Sequence, residues 1–182
     1  MGLSFLEDNM KYAGLKKNDI ANGDGICVSF WTQGCPFHCE GCHNPETWDF
    51  DGGEEFTDDV MKEILAAISE NNVHRSFSIL GGEPLCPANI PLVYEVIKNV
   101  KHSFPSIKIY LWSGFYFEIL LKNAQKDTML ESILNQIDIL IDGPFILSRK
   151  NLGLYLRGSD NQRVIDMKQS LARGEVVLVE EK

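Results

Sequence analysis

The chain has 182 residues, 44% of them hydrophobic and 24% charged, with a formal net charge of −9 and a pI of 4.9. That apolar fraction argues against disorder, the length suits one domain burying roughly 70% of its unfolded surface, and no run approaches the ~18 apolar residues of a membrane span. The acidic balance opposes the counterion release that draws proteins to a phosphate backbone, so nucleic acid is not the expected partner.

The opening MGLSFLEDNMKYAGLKK lacks the basic start, sustained apolar segment and small-residue cleavage site of a secretory signal. A reducing, cytoplasmic setting is therefore expected. ICVSFW, residues 26–31, is rich in β-branched and aromatic residues, follows the turn-like NGDG and ends at Gly34, as a buried strand does. GCPFHCEGCHN hangs from its C-terminal end. From Thr57, an N-cap candidate, Val60, Ile64, Leu65 and Ile68 fall on one helical stripe, with Asp58 and Asp59 favouring the first turn. SFSIL, residues 76–80, reads as a second strand running into GGEP. A helix begins near Pro91 and stops before Pro105, and IKIYLW follows as a third strand. SGFYFEILLKNAQKDTMLESILNQ reads as helical in one or two pieces, IDILIDG, residues 137–143, as a fourth strand, and EVVLVEEK as an edge strand or a tail.

Alternating strands and helices imply βαβ crossovers and a parallel sheet covered by helices. No linker or repeat divides residues 1–182, which read as a single domain. Such sheets place their chemistry at the C-terminal strand ends, where the cysteine loop, GGEP, SGF and DGP all lie.

Five cysteines, an odd number with three crowded together, suit neither a disulfide framework nor scattered core thiols. Cys35, Cys39 and Cys42 have the spacing C-x3-C-x2-C. A zinc-stabilised binding module would need a fourth ligand such as His38 or His43. An iron–sulfur cubane held by three thiolates instead leaves one iron without a protein ligand, open to a small molecule.

C-x3-C-x2-C after one strand and GGEP after the next resemble the radical S-adenosylmethionine superfamily. NGDGICVSFWTQGCPFHCEGCHNPETW, SGF, LIDGPF and LRGSDNQR, taken together over about residues 20–168, are similar to the activating proteins of anaerobic (class III) ribonucleoside-triphosphate reductases. The resemblance implies an α/β fold, an incomplete (partial) TIM-like barrel of parallel strands with outer helices. It implies a 4Fe-4S cluster on Cys35, Cys39 and Cys42, whose fourth iron binds S-adenosylmethionine. Gly41, Cys42, His43, Gly81, Gly82, Glu83, Ser113 and Asp142 are the expected cofactor contacts. Gly41 stands where many members carry an aromatic residue near the adenine, and His43 is the substitute surface.

The implied reaction reduces the cluster with a flavodoxin- or ferredoxin-like donor, cleaves the sulfonium and passes a hydrogen atom from a glycine of the reductase to the 5′-deoxyadenosyl radical. No catalytic acid or base is needed beyond cluster and cofactor. A homodimer is a further expectation of the resemblance. The alternatives are an activase of another glycyl-radical enzyme, of pyruvate formate-lyase type, and a small-molecule radical enzyme.

Plainer readings stand beside these. A second GGE, Gly52 to Glu54, lies in a polar stretch before a helix and is not the cofactor loop. Cys27 and Cys86 read as small buried hydrophobes. Trp31, Trp48 and Trp112 read as core or rim aromatics, with Trp48 able to border the cofactor. Ser113 suits a helix cap and Asp142 a turn. LRGSDNQR, residues 156–163, is either a solvated loop or the dock for the partner's glycine segment, with Arg157 and Asn161 as anchors.

Overall fold

The computed structural model describes residues 10–180. Most of the opening segment read for an export signal, residues 1–9, lies outside them, as do the last two residues of EVVLVEEK.

Seven strands form one sheet in the order β3-β1-β2-β4-β5-β6-β7. The four central strands are β2 (Cys27–Thr32), β4 (Ser76–Gly81), β5 (Ile109–Ser113) and β6 (Ile139–Asp142), and they pair in parallel. These are the four strands expected from the apolar runs. The parallel expectation fails at the margins. β1 (Lys11–Asp19) runs antiparallel to β2 and to β3 (Glu54–Glu55), and β7 (Arg163–Asp166) runs antiparallel to β6. Neither outer strand was expected, because β1 carries four charged residues and β7 is only four residues long. Residues 177–179 lie along β7, with Val179 N–H donating to Val164 O and Asp166 N–H to Val177 O, both at 2.9 Å. The C-terminal stretch thus meets the sheet edge through one antiparallel bridge, Leu178 opposite Ile165, without forming a strand in its described residues.

The helices are α1 (Asp58–Ser69), α2 (Ile90–Ser103), α3 (Phe117–Ala124), α4 (Thr128–Gln136) and α5 (Met167–Arg173). Thr57 Oγ1 caps α1 through Val60 N–H, and Pro91 sits in the first turn of α2, as expected. The long helical stretch breaks in two because Asp127 accepts from the amides of Met129 and Leu130 and starts α4 afresh. On α1 the buried stripe is Met61, Ile64, Ala67 and Ile68, with Val60 and Leu65 only partly covered.

Successive strand residues point to opposite faces. Val28, Phe30, Phe77, Ile79, Ile109, Leu111, Leu140 and Ile165 join the buried faces of the helices in one core. The other face holds a small second cluster of Tyr110, Ile139, Ile141 and Val164, with Trp112, Tyr155, Leu156 and Val179 packed on it. Helices therefore cover one face of the sheet, and the opposite face is left for a cavity. Among the described residues no helix is long and apolar enough to cross a membrane.

Candidate functional site

That cavity, about 550 Å³, runs from the cysteine loop down the uncovered face of the sheet. The cysteine loop is closed at its base by two backbone pairs, Gly34 N–H to Thr47 O at 2.8 Å and Cys35 N–H to Trp48 O at 3.1 Å. Gly34 needs a left-handed φ of +92°, and the ring of Phe50 occupies the space that its Cβ would take.

Three further strand-end loops meet this one. At GGEP, Glu83 N–H donates to Gly34 O at 2.9 Å, and Asn89 Nδ2 donates to both Gly34 O and Glu83 O. At SGF, the Phe37 ring lies 4.8 Å from that of Phe115 and abuts Gly114 so closely that no Cβ would fit. At DGP, the His43 and Phe145 rings lie 5.6 Å apart. The convergence expected from the strand ends is present, and it works by interlocking backbone groups and rings.

Cys35, Cys39, Cys42, His43, Gly81, Gly82, Glu83, Ser113 and Arg157 all line the cavity. Gly41, Asp142 and Asn161 do not. Gly41 turns with φ +71°, and a Cβ there would strike Leu147 at 2.7 Å, so it shapes the loop from behind. Asp142 is fully buried and already engaged: Arg163 Nε donates to it at 2.9 Å and Phe117 N–H at 2.8 Å. Its carboxylate starts α3 and balances Arg163. Asn161 Nδ2 donates to Pro144 O at 2.7 Å.

Glu83 is 1% exposed and accepts from Ser113 Oγ at 2.8 Å, Gly114 N–H at 2.6 Å and Leu85 N–H at 2.9 Å. These donors favour the carboxylate, yet burial outweighs them and pushes the carboxyl up to about 7. Glu83 thus ties the ends of β4 and β5 together, and Ser113 serves that tie.

The three loop thiols are partly buried, and Asn44 N–H donates to Cys42 Sγ at 3.4 Å. Burial pushes the Cys35 and Cys39 thiols up, so their thiolates need positive charge nearby. Among the described residues no three His, Cys, Asp or Glu side chains are gathered around the position of a single metal ion. Three thiols on one loop, one available to each of three irons, are the donor set an iron–sulfur cluster uses. N–H groups aimed at ligand sulfurs are also the contacts that tune such clusters.

The remaining cysteines are buried and do not line the cavity. Cys27 lies 3.4 Å from Asp19 O and 3.3 Å from Asn22 O, within reach for its thiol to donate. Cys86 is 2% exposed, and burial pushes its thiol up to about 11.

Trp31, Trp48 and Trp112, read as core or rim aromatics, all reach the cavity wall. Trp112 is held there by Nε1–H donation to Leu156 O at 2.8 Å, and Trp48 by stacking on His38 at 4.7 Å. The alternation of Ser29 with Trp31 and of Ser78 with Leu80 was the available signal that this strand face is not packed under helices.

A family model described as a 4Fe-4S single cluster domain matches residues 21–165. An anaerobic ribonucleoside-triphosphate reductase-activating protein of Vibrio cholerae is 34% identical over 145 residues, 79% of this chain and 90% of its own length. Proteins of the same name from Escherichia coli K12 (31% over 80% of this chain and 92% of the relative) and Enterobacteria phage T4 (34% over 85% and 93%) match as broadly. With the cluster-binding model spanning the cysteine loop and all four converging strand ends, the chain belongs to the family of anaerobic ribonucleoside-triphosphate reductase-activating proteins.

Proposed function

We propose that this chain is a radical S-adenosylmethionine activating enzyme that generates the glycyl radical of an anaerobic ribonucleoside-triphosphate reductase. The observation that carries this reading is the set of three thiols of one loop on the cavity wall shared with Gly81, Gly82 and Glu83. Cys35, Cys39 and Cys42 would hold a 4Fe-4S cluster through their thiolates. Such a cluster would supply one-electron reduction of S-adenosylmethionine, the chemistry that activation of a glycine in the reductase requires.

The chain's own residues orient the cofactor and keep water out. Gly81, at φ +107°, and Gly82 pack against the backbone of Thr32 and Gly34 with no room for a Cβ, which fixes the GGEP backbone on the cavity wall. His43 beside Phe145 offers a ring surface for the adenine, in place of the aromatic residue absent at Gly41. Trp31, Trp112, Leu154 and Leu156 make the walls apolar, which shields a primary radical from solvent. The partner's glycine segment docks at the stretch of residues 156–163 that leads into β7. There Arg157 lies on the cavity wall and donates to Gln162 O, and Asn161 Nδ2 anchors the loop by donating to Pro144 O.

The reading includes a single domain over 1–182 and an incomplete TIM-like barrel, supported by helices on one sheet face and a cavity on the other. It includes a flavodoxin- or ferredoxin-like donor, a homodimer and a cytoplasmic setting. The test is anaerobic loading with iron and sulfide, followed by mixing with the reductase, reductant and S-adenosylmethionine. Methionine release and a glycyl-radical EPR doublet on the reductase are expected. One zinc per chain without acid-labile sulfide would overturn the reading, and a doublet formed only on a pyruvate formate-lyase type partner would move it to that class.

A further inference from the structure

The second GGE, Gly52 to Glu54, is absent from the cavity wall, yet it is packed around a residue next to the cysteine loop. Gln33, two residues before Cys35, is 3% exposed. Its side-chain Nε2 donates to Asp49 O at 2.6 Å and to Glu46 O at 3.2 Å. Those carbonyls belong to the segment that leaves the cysteine loop, and they flank Thr47 and Trp48, which pair with Gly34 and Cys35. One amide thus bridges the entry and the exit of the loop.

The two glycines make room for it. A Cβ on Gly52 would lie 2.8 Å from Gln33 Nε2. Gly53 adopts φ +74°, and a Cβ there would lie 2.4 Å from Tyr12 O and 3.0 Å from Gln33 Cγ. Only a side-chain-free, left-handed turn lets the chain wrap Gln33 and still pair β3 with β1, where Tyr12 opposes Glu54 and Lys11 opposes Glu55.

We propose that Gln33 is a positioning residue for the three thiolates, and that Gly52 and Gly53 are the pocket that holds its side chain. Gln33 acts through the loop base: its two hydrogen bonds set the distance between the strand end that carries Cys35 and the segment that follows Cys42. What the thiolates hold rests on the function proposed above; the closing of their loop does not, and it is measurable without metal.

The experiment compares the full chain with Gln33→Leu, metal-free and then loaded. In the metal-free state, alkylation by iodoacetamide is followed at each cysteine by peptide mass spectrometry. Loss of two ordinary hydrogen bonds raises local opening by about thirtyfold, so Cys35, Cys39 and Cys42 should react faster by that factor while buried Cys27 and Cys86 keep their rates. After loading, the EPR g-values of the reduced cluster should shift. Unchanged loop-thiol rates, or an equal rise at all five cysteines, would overturn the proposal. Should Gln33→Leu not fold, amide exchange on the unaltered chain decides: the N–H groups of Gly34 and Cys35 should exchange as slowly as those of Val28 and Phe30, and loop-like exchange overturns it. Iron and sulfide uptake by the unaltered chain is scored separately, so its absence strikes the proposed function and not the loop closure.

Discussion

Gly82→Ala is the sharpest probe of how the strand ends are fitted together. A Cβ at Gly82 would stand 2.3 Å from Gly34 O, 2.9 Å from Gly34 C and 3.1 Å from Gly34 N. Non-bonded heavy atoms settle at about 3.5 Å, so the Gly34 peptide must retreat by roughly 1 Å. It has little freedom to do so, because Phe50 lies against Gly34 and its N–H is bonded to Thr47 O at 2.8 Å. Retreat breaks the bonds that Gly34 O accepts from Glu83 N–H at 2.9 Å and Asn89 Nδ2 at 3.1 Å. Each is worth about 1 kcal/mol, and forcing a methyl into packed space adds about 1 kcal/mol or more, giving a loss of about 3 kcal/mol. Cys35 follows Gly34 directly, and a shift of about 1 Å in a reacting array costs on the order of 100-fold in rate. Urea unfolding of the metal-free chain reads the first effect and methionine release by the loaded chain the second. Gly14→Ala, where nothing lies within 4 Å of the added carbon, is the control. A Gly82→Ala chain within about 0.5 kcal/mol of the parent, with unchanged methionine release, would refute the fitted-backbone account.

Three other outcomes are expected. Because burial raises the Glu83 carboxyl to about 7, the folded chain holds a proton that the unfolded chain, at an ordinary 4.5, has lost; stability falls as pH rises from 4.5 to 7. Glu83→Gln removes that slope, worth at most about 3 kcal/mol, so urea midpoints of parent and variant should converge or diverge between about pH 5 and pH 8, and a constant difference refutes it. Arg163→Ala strands the buried Asp142 carboxylate and, since Arg163 is 28% exposed in its side chain, costs about 2 kcal/mol in thermal unfolding. Adding Asp142→Asn should recover part of that loss, and no recovery would show that the charge is not the cause. Cys39→Ala should remove acid-labile sulfide and methionine release while leaving the circular dichroism spectrum; retained release would sink the cluster assignment.

The cysteine spacing, the glycine-rich strand end and the alternation of apolar runs with amphipathic stretches were legible because each is a local pattern. They sufficed for the central strands, most of the helices and the meeting of the strand-end loops. The outer strands were not legible. β1 reads as a charged stretch, and its pairing with β2 depends on a turn and on contacts that lie far along the chain. Side-chain roles at the site were hidden for a similar reason. Asp142 and Glu83 are acids at strand ends in the sequence, but Arg163, Phe117, Ser113 and Gly114 approach them from other elements and take their oxygens. Gln33 carried no sign that a rejected glycine pair would enclose it.

What the sequence by itself determined is the chemistry available: three thiolates on a loop, two glycines opposite, and strands that alternate with helices. What only the tertiary structure decided is which residues face which way. Period-two alternation assigns Trp31 and Phe30 to opposite faces of β2 but does not say which face the helices will cover. Packing all the helices against Phe30, Ile79 and Leu111 buried one face and left Trp31, Leu80 and Trp112 to line the cavity, because burial is a property of the neighbours an element acquires and not of the element alone.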